Sequence, residues 1–325
     1  MKNTQMAPWR SRLGAVLTVI AFLTFLNGCK KDNDTPSAQS DSIADVIIAD
    51  NNLTILEAAI TKAGMLDAYK QPDLTVFAPN DSAFHAAGVA DASALGAFTA
   101  DQLRAMLQYS SLPKAVTASA IPSGTNNAVQ TSLNVSGTYI NAYLTKTNNG
   151  IYLNGAKIVQ PDIQASNGVM HVINRVVMPP TGDGTLISVV ASNPNLSLLR
   201  IAAQKVAASD PTLQAALTGS ALAFTIFAPT NTAFQALGYD STKIAATPAA
   251  SLSALLSNHI LTGRLFANDL PATATALSTK MLMITTAGDS TTVKSGGIAT
   301  AARVTGPNYA ASNGVVHVVN KVLLP

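Results

Sequence analysis

The chain has 325 residues, of which 48% are hydrophobic, 11% charged and only 5% aromatic. That apolar fraction excludes an intrinsically disordered protein, and the length suits about two domains, each able to bury a core of its own. All of the formal charge of +3 is accounted for by Lys2, Arg10 and Arg12 within residues 1–28, leaving 17 basic and 17 acidic groups beyond them. A neutral body builds no basic surface, which excludes nucleic acid as a partner.

Lys2, Arg10 and Arg12 precede an apolar run from Leu13 to Leu26. The run is shorter than the roughly 20 residues that span a bilayer as a helix, and with its basic flank it reads as a secretory signal over residues 1–28. The following Leu26-Asn27-Gly28-Cys29 resembles the lipobox of bacterial lipoproteins, with Asn27 in place of the small or aliphatic residue more usual there. That resemblance implies cleavage before Cys29 and lipid attachment to it. Cys29 is the only cysteine, so no internal disulfide is possible. At about 0.8 kcal/mol per buried CH₂, two or three acyl chains would hold the protein permanently at a membrane surface. Residues 29–41 lack apolar periodicity and read as a flexible tether. By resemblance to Gram-negative lipoproteins, Lys30 directly after the cysteine implies the outer membrane, with the body either surface-exposed or periplasmic.

Beyond the tether the chain is one unit written twice. Thr75-Val76-Phe77-Ala78-Pro79-Asn80-Asp81-Ser82-Ala83-Phe84 returns as Thr225-Ile226-Phe227-Ala228-Pro229-Thr230-Asn231-Thr232-Ala233-Phe234, and the segment Ala165–Asn174 returns as Ala311–Asn320. A spacing this long means tandem domains, not a solenoid. The copies run over residues 42–180 and 185–325, joined at Pro179-Pro180-Thr181-Gly182-Asp183-Gly184. Helical periodicity is clearest at Ser42–Ile48, Leu53–Met65, Leu103–Tyr109 and Leu252–Ile260. In the first repeated block a β-prone triplet ends at Pro79 or Pro229, and Asn80 or Thr230 then caps a helix. Phe77 with Phe84, and Phe227 with Phe234, bracket that turn and are expected to bury together. In the second block Asn167-Gly168 and Asn313-Gly314 predict hairpins closed by type I′ turns, which need positive φ at both central residues. The strands that follow carry His171 and His317 and are apolar on both faces, so both faces should be covered. Helices first and strands last in each copy argue for an α+β fold.

Both blocks, in both copies and in the same order, are similar to the two signature segments of fasciclin (FAS1) domains, a resemblance covering residues 42–180 and 185–325. It implies two tandem fasciclin-like domains, each a β-sandwich or wedge with packed α-helices, and adhesion at a cell surface without catalysis. It also implies two places for partner contact. One is a Tyr-His pair, present here only in part as Tyr109-Ser110 in copy one and Asn258-His259 in copy two. The other is the Asp162-Ile163 pair ahead of the first hairpin, replaced in copy two by Asn308-Tyr309.

One histidine per strand, with no Cys, Asp or Glu at ligand spacing, makes no zinc site, so His171 and His317 read as structural and neither metal nor cofactor is expected. Glu57 is the only glutamate, and neither a carboxylate pair nor a nucleophile–base arrangement is recognisable. The preferred reading is a lipid-anchored envelope adhesion protein that binds a surface protein or polysaccharide. The alternatives are a periplasmic carbohydrate-handling enzyme or its accessory binding subunit, and a structural spacer.

Overall fold

A computed structural model describes residues 41–180, 184–219, 221–287, 290–306 and 308–325. In copy one, α1 (Ile43–Ala49) and α2 (Thr54–Ala63) lead into β1 (Leu74–Pro79), α3 (Asp81–Ala86), α4 (Ala100–Tyr109) and β2 (Ser111–Leu112). A run of antiparallel strands then follows: β3 (Gly124–Val135), β4 (Thr138–Thr147), β5 (Gly150–Leu153), β6 (Ala156–Ala165) and β7 (Gly168–Ile173). Copy two repeats the plan with α5 (Leu186–Ser192), α6 (Ser197–Ala207), α7 (Pro211–Thr218), β8 (Phe224–Pro229), α8 (Asn231–Gln235), α9 (Ser241–Ala246) and α10 (Ala249–Ser257). Its strands are β9 (Ile260–Thr262), β10 (Thr273–Thr275), β11 (Met281–Ala287), β12 (Ser290–Ser295), β13 (Ala302–Arg303), β14 (Tyr309–Ala311) and β15 (Gly314–Val319).

The strand order in copy one is β2-β1-β7-β6-β5-β4-β3. The long β6 joins its two ends, pairing first with β5 and then with β7. In copy two the equivalent strand is divided into β13 and β14, so the strands fall into two sheets, β10-β11-β12-β13 and β14-β15-β8-β9. The first and last strands of each copy are parallel partners: β1 lies beside β7 with Phe77 opposite His171, and β8 beside β15 with Phe227 opposite His317. The two repeated blocks are therefore adjacent strands, and every residue of β1, β8 and β15 is buried.

Each copy has two cores. Phe84 packs with the helices, whereas Phe77 lies in a second cluster with Tyr109, Leu144 and Leu153. Copy two repeats the division with Phe234 among the helices and Phe227 beside Leu282 and Val293. The expectation that the two phenylalanines of each block bury together is thus corrected: both are buried, on opposite sides of the central strand pair. Alternation along β1 sends Phe77 to the sheet side, and the turn after Pro79 returns Phe84 to the helical side.

The hairpins form, but not with the expected turn. Ala165 pairs with Gly168 and Ala311 with Gly314, so the two-residue loops are Ser166-Asn167 and Ser312-Asn313. None of these four residues has positive φ, which rules out type I′. The asparagines are needed for their side chains. Asn167 Oδ1 accepts from Ile43 N at 2.8 Å, capping α1, while its Nδ2 donates to Tyr69 O and Gln71 O. Asn313 does the same for Leu186 N and for the carbonyls of Ala216 and Leu217. The glycines are needed for proximity: a Cβ on Gly168 would lie 1.9 Å from Leu74 O, and one on Gly314 1.9 Å from Phe224 O.

Candidate binding site

The signature residues build a repeated internal frame. Asn80 and Thr230 cap α3 and α8 by accepting from Ala83 N and Ala233 N. The next residue caps a different helix: Asp81 accepts from Ile55 N at 2.9 Å, and Asn231 from Leu198 N at 2.9 Å. Thr75, wholly buried, donates to Lys114 O and accepts from Val116 N, and Thr225 repeats this with Gly263 O and Leu265 N. Pro79 and Pro229 close their strands opposite Ile173 and Val319. Each histidine stacks on the phenylalanine opposite it, with ring centroids 5.3 Å apart for Phe77–His171 and 5.6 Å for Phe227–His317.

The histidines are held neutral. His171 Nε2 donates to Val116 O at 2.9 Å and Nδ1 accepts from Asp162 N at 3.1 Å, which fixes one tautomer; burial lowers its pKa. His317 Nε2 donates to Leu265 O, while its buried Nδ1 has no protein partner. Burial first, and then the charge of Arg175 in the other copy, push its pKa down to about 4. Among the described residues no group of three His, Cys, Asp or Glu side chains lies close enough to hold a metal.

The four positions of the incomplete Tyr-His pair are all interior. Tyr109 is 0% exposed; its hydroxyl donates to Asn141 O and accepts from Asn154 Nδ2 at 2.9 Å. Ser110 donates to Met106 O. Asn258 bonds Leu323 O and Ser278. His259, 1% exposed, donates from Nδ1 to Leu255 O and accepts Leu323 N at Nε2, and burial lowers its pKa to about 4. Tyr109 and His259 therefore face their own domains and offer no surface to a partner. Asp162 and Ile163 are half-buried. Asp162 sits in a break of the β6–β7 register with φ 58°, its Oδ1 accepting from Ala118 N at 2.7 Å, and Ile163 packs on the helical core. Cys29 lies outside the described residues.

A feature with no sequence signal joins the copies, which form one compact unit. Arg264 lies 4.0 Å over the ring of Tyr143, a cation–π contact, while its guanidinium donates to the carbonyls of Ala311, Ser312 and Gly314. Phe266, Ala310 and Val315 close on Tyr143, and Asn126 Nδ2 donates to Arg264 O at 2.8 Å. Asn308, the counterpart of Asp162, donates across the seam to Asn154 O at 3.2 Å. Tyr109, Asn154 and Asn308 thus form one hydrogen-bonded line from the first core to the second copy. Asp269 lies beside Phe266, and burial raises its carboxyl pKa to about 6.

With two signature-bearing copies and their internal frame described, the class is defined: the fasciclin-domain pattern matches residues 51–179 and 197–325. The chain belongs to the fasciclin domain family, whose domains are associated with cell adhesion and binding. Protein sll1483 of Synechocystis sp. is 32% identical over 143 residues, 43% of this chain and 74% of that protein. Human periostin is 32% identical over 192 residues, 58% of this chain but 21% of periostin. The pig transforming growth factor-beta-induced protein ig-h3 is 30% identical over 181 residues, 54% of this chain and 24% of that protein. This chain spans a quarter or less of the two animal proteins. Among solved structures, a FAS1 domain pair from the insect cell adhesion molecule Fasciclin I is similar over 83% of this chain and 96% of its own, with 16% identity and a TM-score of 0.37.

Proposed function

We propose that this protein is a lipid-anchored adhesion protein of the bacterial cell envelope, whose two fasciclin domains hold a surface protein or polysaccharide without transforming it. The observation that carries the reading is the family match in both copies; the signal-like segment and Cys29 support the anchor. The seam adds a physical reason for a pair: two domains fixed together present one composite surface, and a ligand touching both loses less freedom than one bridging two tethered modules. Replacing Cys29 with Ala is expected to abolish incorporation of labelled palmitate and to move the chain into the soluble fraction. Unchanged labelling would remove the anchor from the proposal. Arrays of surface glycans and matrix proteins, probed with the full chain in detergent, test the adhesion reading, and silence across both would sink it.

A further inference from the structure

Four buried side-chain oxygens at the seam have no hydrogen-bond partner: Asn126 Oδ1 from copy one, and Asn268 Oδ1, Asp269 Oδ2 and Asn308 Oδ1 from copy two. Their side chains form one string. Asn308, 7% exposed, and Asn268 close on the same point: a Cβ on Gly155 would strike Asn308 Nδ2 and stand 3.3 Å from Asn268 Oδ1. Asn268 Nδ2 donates to Asp269 Oδ1 at 2.6 Å. The Thr145 hydroxyl faces that carboxylate, and its oxygen accepts from Asn126 N at 3.1 Å. The amide nitrogens are all engaged, Asn126 Nδ2 with Arg264 O, Asn268 Nδ2 with Asp269 and Asn308 Nδ2 with Asn154 O. Those bonds fix each amide, because turning it over would set oxygen against oxygen, and they leave its oxygen unused. Among the described residues no cation pairs with Asp269. Arg264 turns its guanidinium instead to the Tyr143 ring and to three carbonyls. The seam therefore holds acceptor oxygens and one uncompensated negative charge, and burying either without a partner costs free energy. A cation answers both. Carboxylate and amide oxygens are hard ligands, with neither thiolate nor imidazole among them to suit a transition metal. Calcium takes about six to eight such oxygens in irregular geometry, whereas magnesium demands a near-ideal octahedron and gives up its waters reluctantly. Three of the four groups are amides, so the set is not one of clustered acids or histidines.

We infer that the seam binds a calcium ion through Asp269 Oδ2 and the amide oxygens of Asn126, Asn268 and Asn308, fastening copy one to copy two. The inference goes beyond the adhesion reading and stands or falls apart from it. With a single carboxylate, the expected affinity is that of weak extracellular calcium modules, a Kd of about 10⁻⁴–10⁻³ M. The test is urea unfolding of the detergent-solubilised full chain, stripped of metal with a chelator, in CaCl₂, MgCl₂ or NaCl at equal ionic strength. Calcium at about 10 mM should raise the folding equilibrium constant about tenfold to a hundredfold over sodium, with magnesium no better than sodium. Asp269→Asn keeps the shape of the side chain and removes its charge, and should abolish the calcium response. In the wild type, calcium should slow amide exchange around Asn126 in one copy and around Asn268 and Asn308 in the other, a readout that needs no variant to fold. Equal stability in calcium and sodium would mean that only water meets these oxygens, and would overturn the assignment. So would an equal effect of magnesium, a full calcium response in Asp269→Asn, or slowed exchange confined to other parts of the chain.

Discussion

Mild acid should destabilise this protein through its buried histidines, and His259 is the residue with which to show it. Its ring is enclosed, with Nδ1 donating to Leu255 O and Nε2 accepting from Leu323 N, and burial brings its pKa to about 4. A second proton would sit on Nε2 and face an amide N–H. Because the folded pKa lies below the unfolded value of 6.5, the unfolded chain takes up the proton first. The stability held above pH 6.5 is then lost as pH falls toward 4. Linkage gives a loss of about 2 kcal/mol for His259 between about pH 7 and about pH 5. His317, also lowered to about 4, contributes a similar amount in the same direction, and His171 adds to it. Asp269 opposes them: its pKa is raised to about 6, so its contribution is lost as pH rises, and over the same interval it returns about 1 kcal/mol on acidification. The net expectation is a loss of about 3 kcal/mol, a large share of the roughly 5–15 kcal/mol that holds a typical protein folded. Urea unfolding followed by circular dichroism at the two pH values measures this directly. His259→Gln should be less stable at neutral pH, having lost part of the paired geometry, yet show a pH dependence smaller by about 2 kcal/mol. If the variant keeps the full wild-type pH dependence, burial of His259 does not control its charge and the reasoning fails.

Two further perturbations address the frame and the seam. Gly168→Ala places a methyl group 1.9 Å from Leu74 O, a backbone atom in the parallel β1–β7 pair; a destabilisation of more than about 2 kcal/mol is expected by urea unfolding, and a neutral result would mean that the strands separate freely. Arg264→Met removes a cation over Tyr143 and the donors to three carbonyls; a cost of about 2–4 kcal/mol is expected, with faster amide exchange around Tyr143 and Val315, and unchanged exchange there would show that the two copies do not depend on this contact.

What the sequence disclosed and what it withheld divide along a physical line. The strand that stops at Pro79 and restarts as a capped helix is local chemistry, and it was readable because each residue acts on its neighbours. The apolar spacing at Ser42–Ile48 and Leu103–Tyr109 was readable for the same reason, and it falls on α1 and α4, whose capping boxes the structure adds. The parallel pairing of β1 with β7 was not, since it brings together residues about 95 positions apart with no periodic trace of the contact. Asn167-Gly168 shows how a correct element can be inferred for the wrong reason. The pair marks a hairpin, but it stands where it does because an amide must cap a helix and a methyl group would strike Leu74 O. The residues of the seam were silent for another reason. Tyr143, Asn154 and Arg264 belong to no motif, and their value lies only in what faces them. Tyr109 and His259 carried expectations of surface contact that burial removes, because family resemblance preserves a position without telling which way its side chain points.

The seam also gives the protein a direction. Position 308 in copy two presents an amide that gives a proton to Asn154 O, whereas the matching position in copy one is Asp162, whose carboxylate can only receive one. A chain assembled with its halves in reverse order would set oxygen against oxygen at the place where the halves now join. Duplication produced two similar parts, and an amide in place of an acid, beside Arg264 over Tyr143, distinguishes them, a left hand and a right hand that clasp through different fingers.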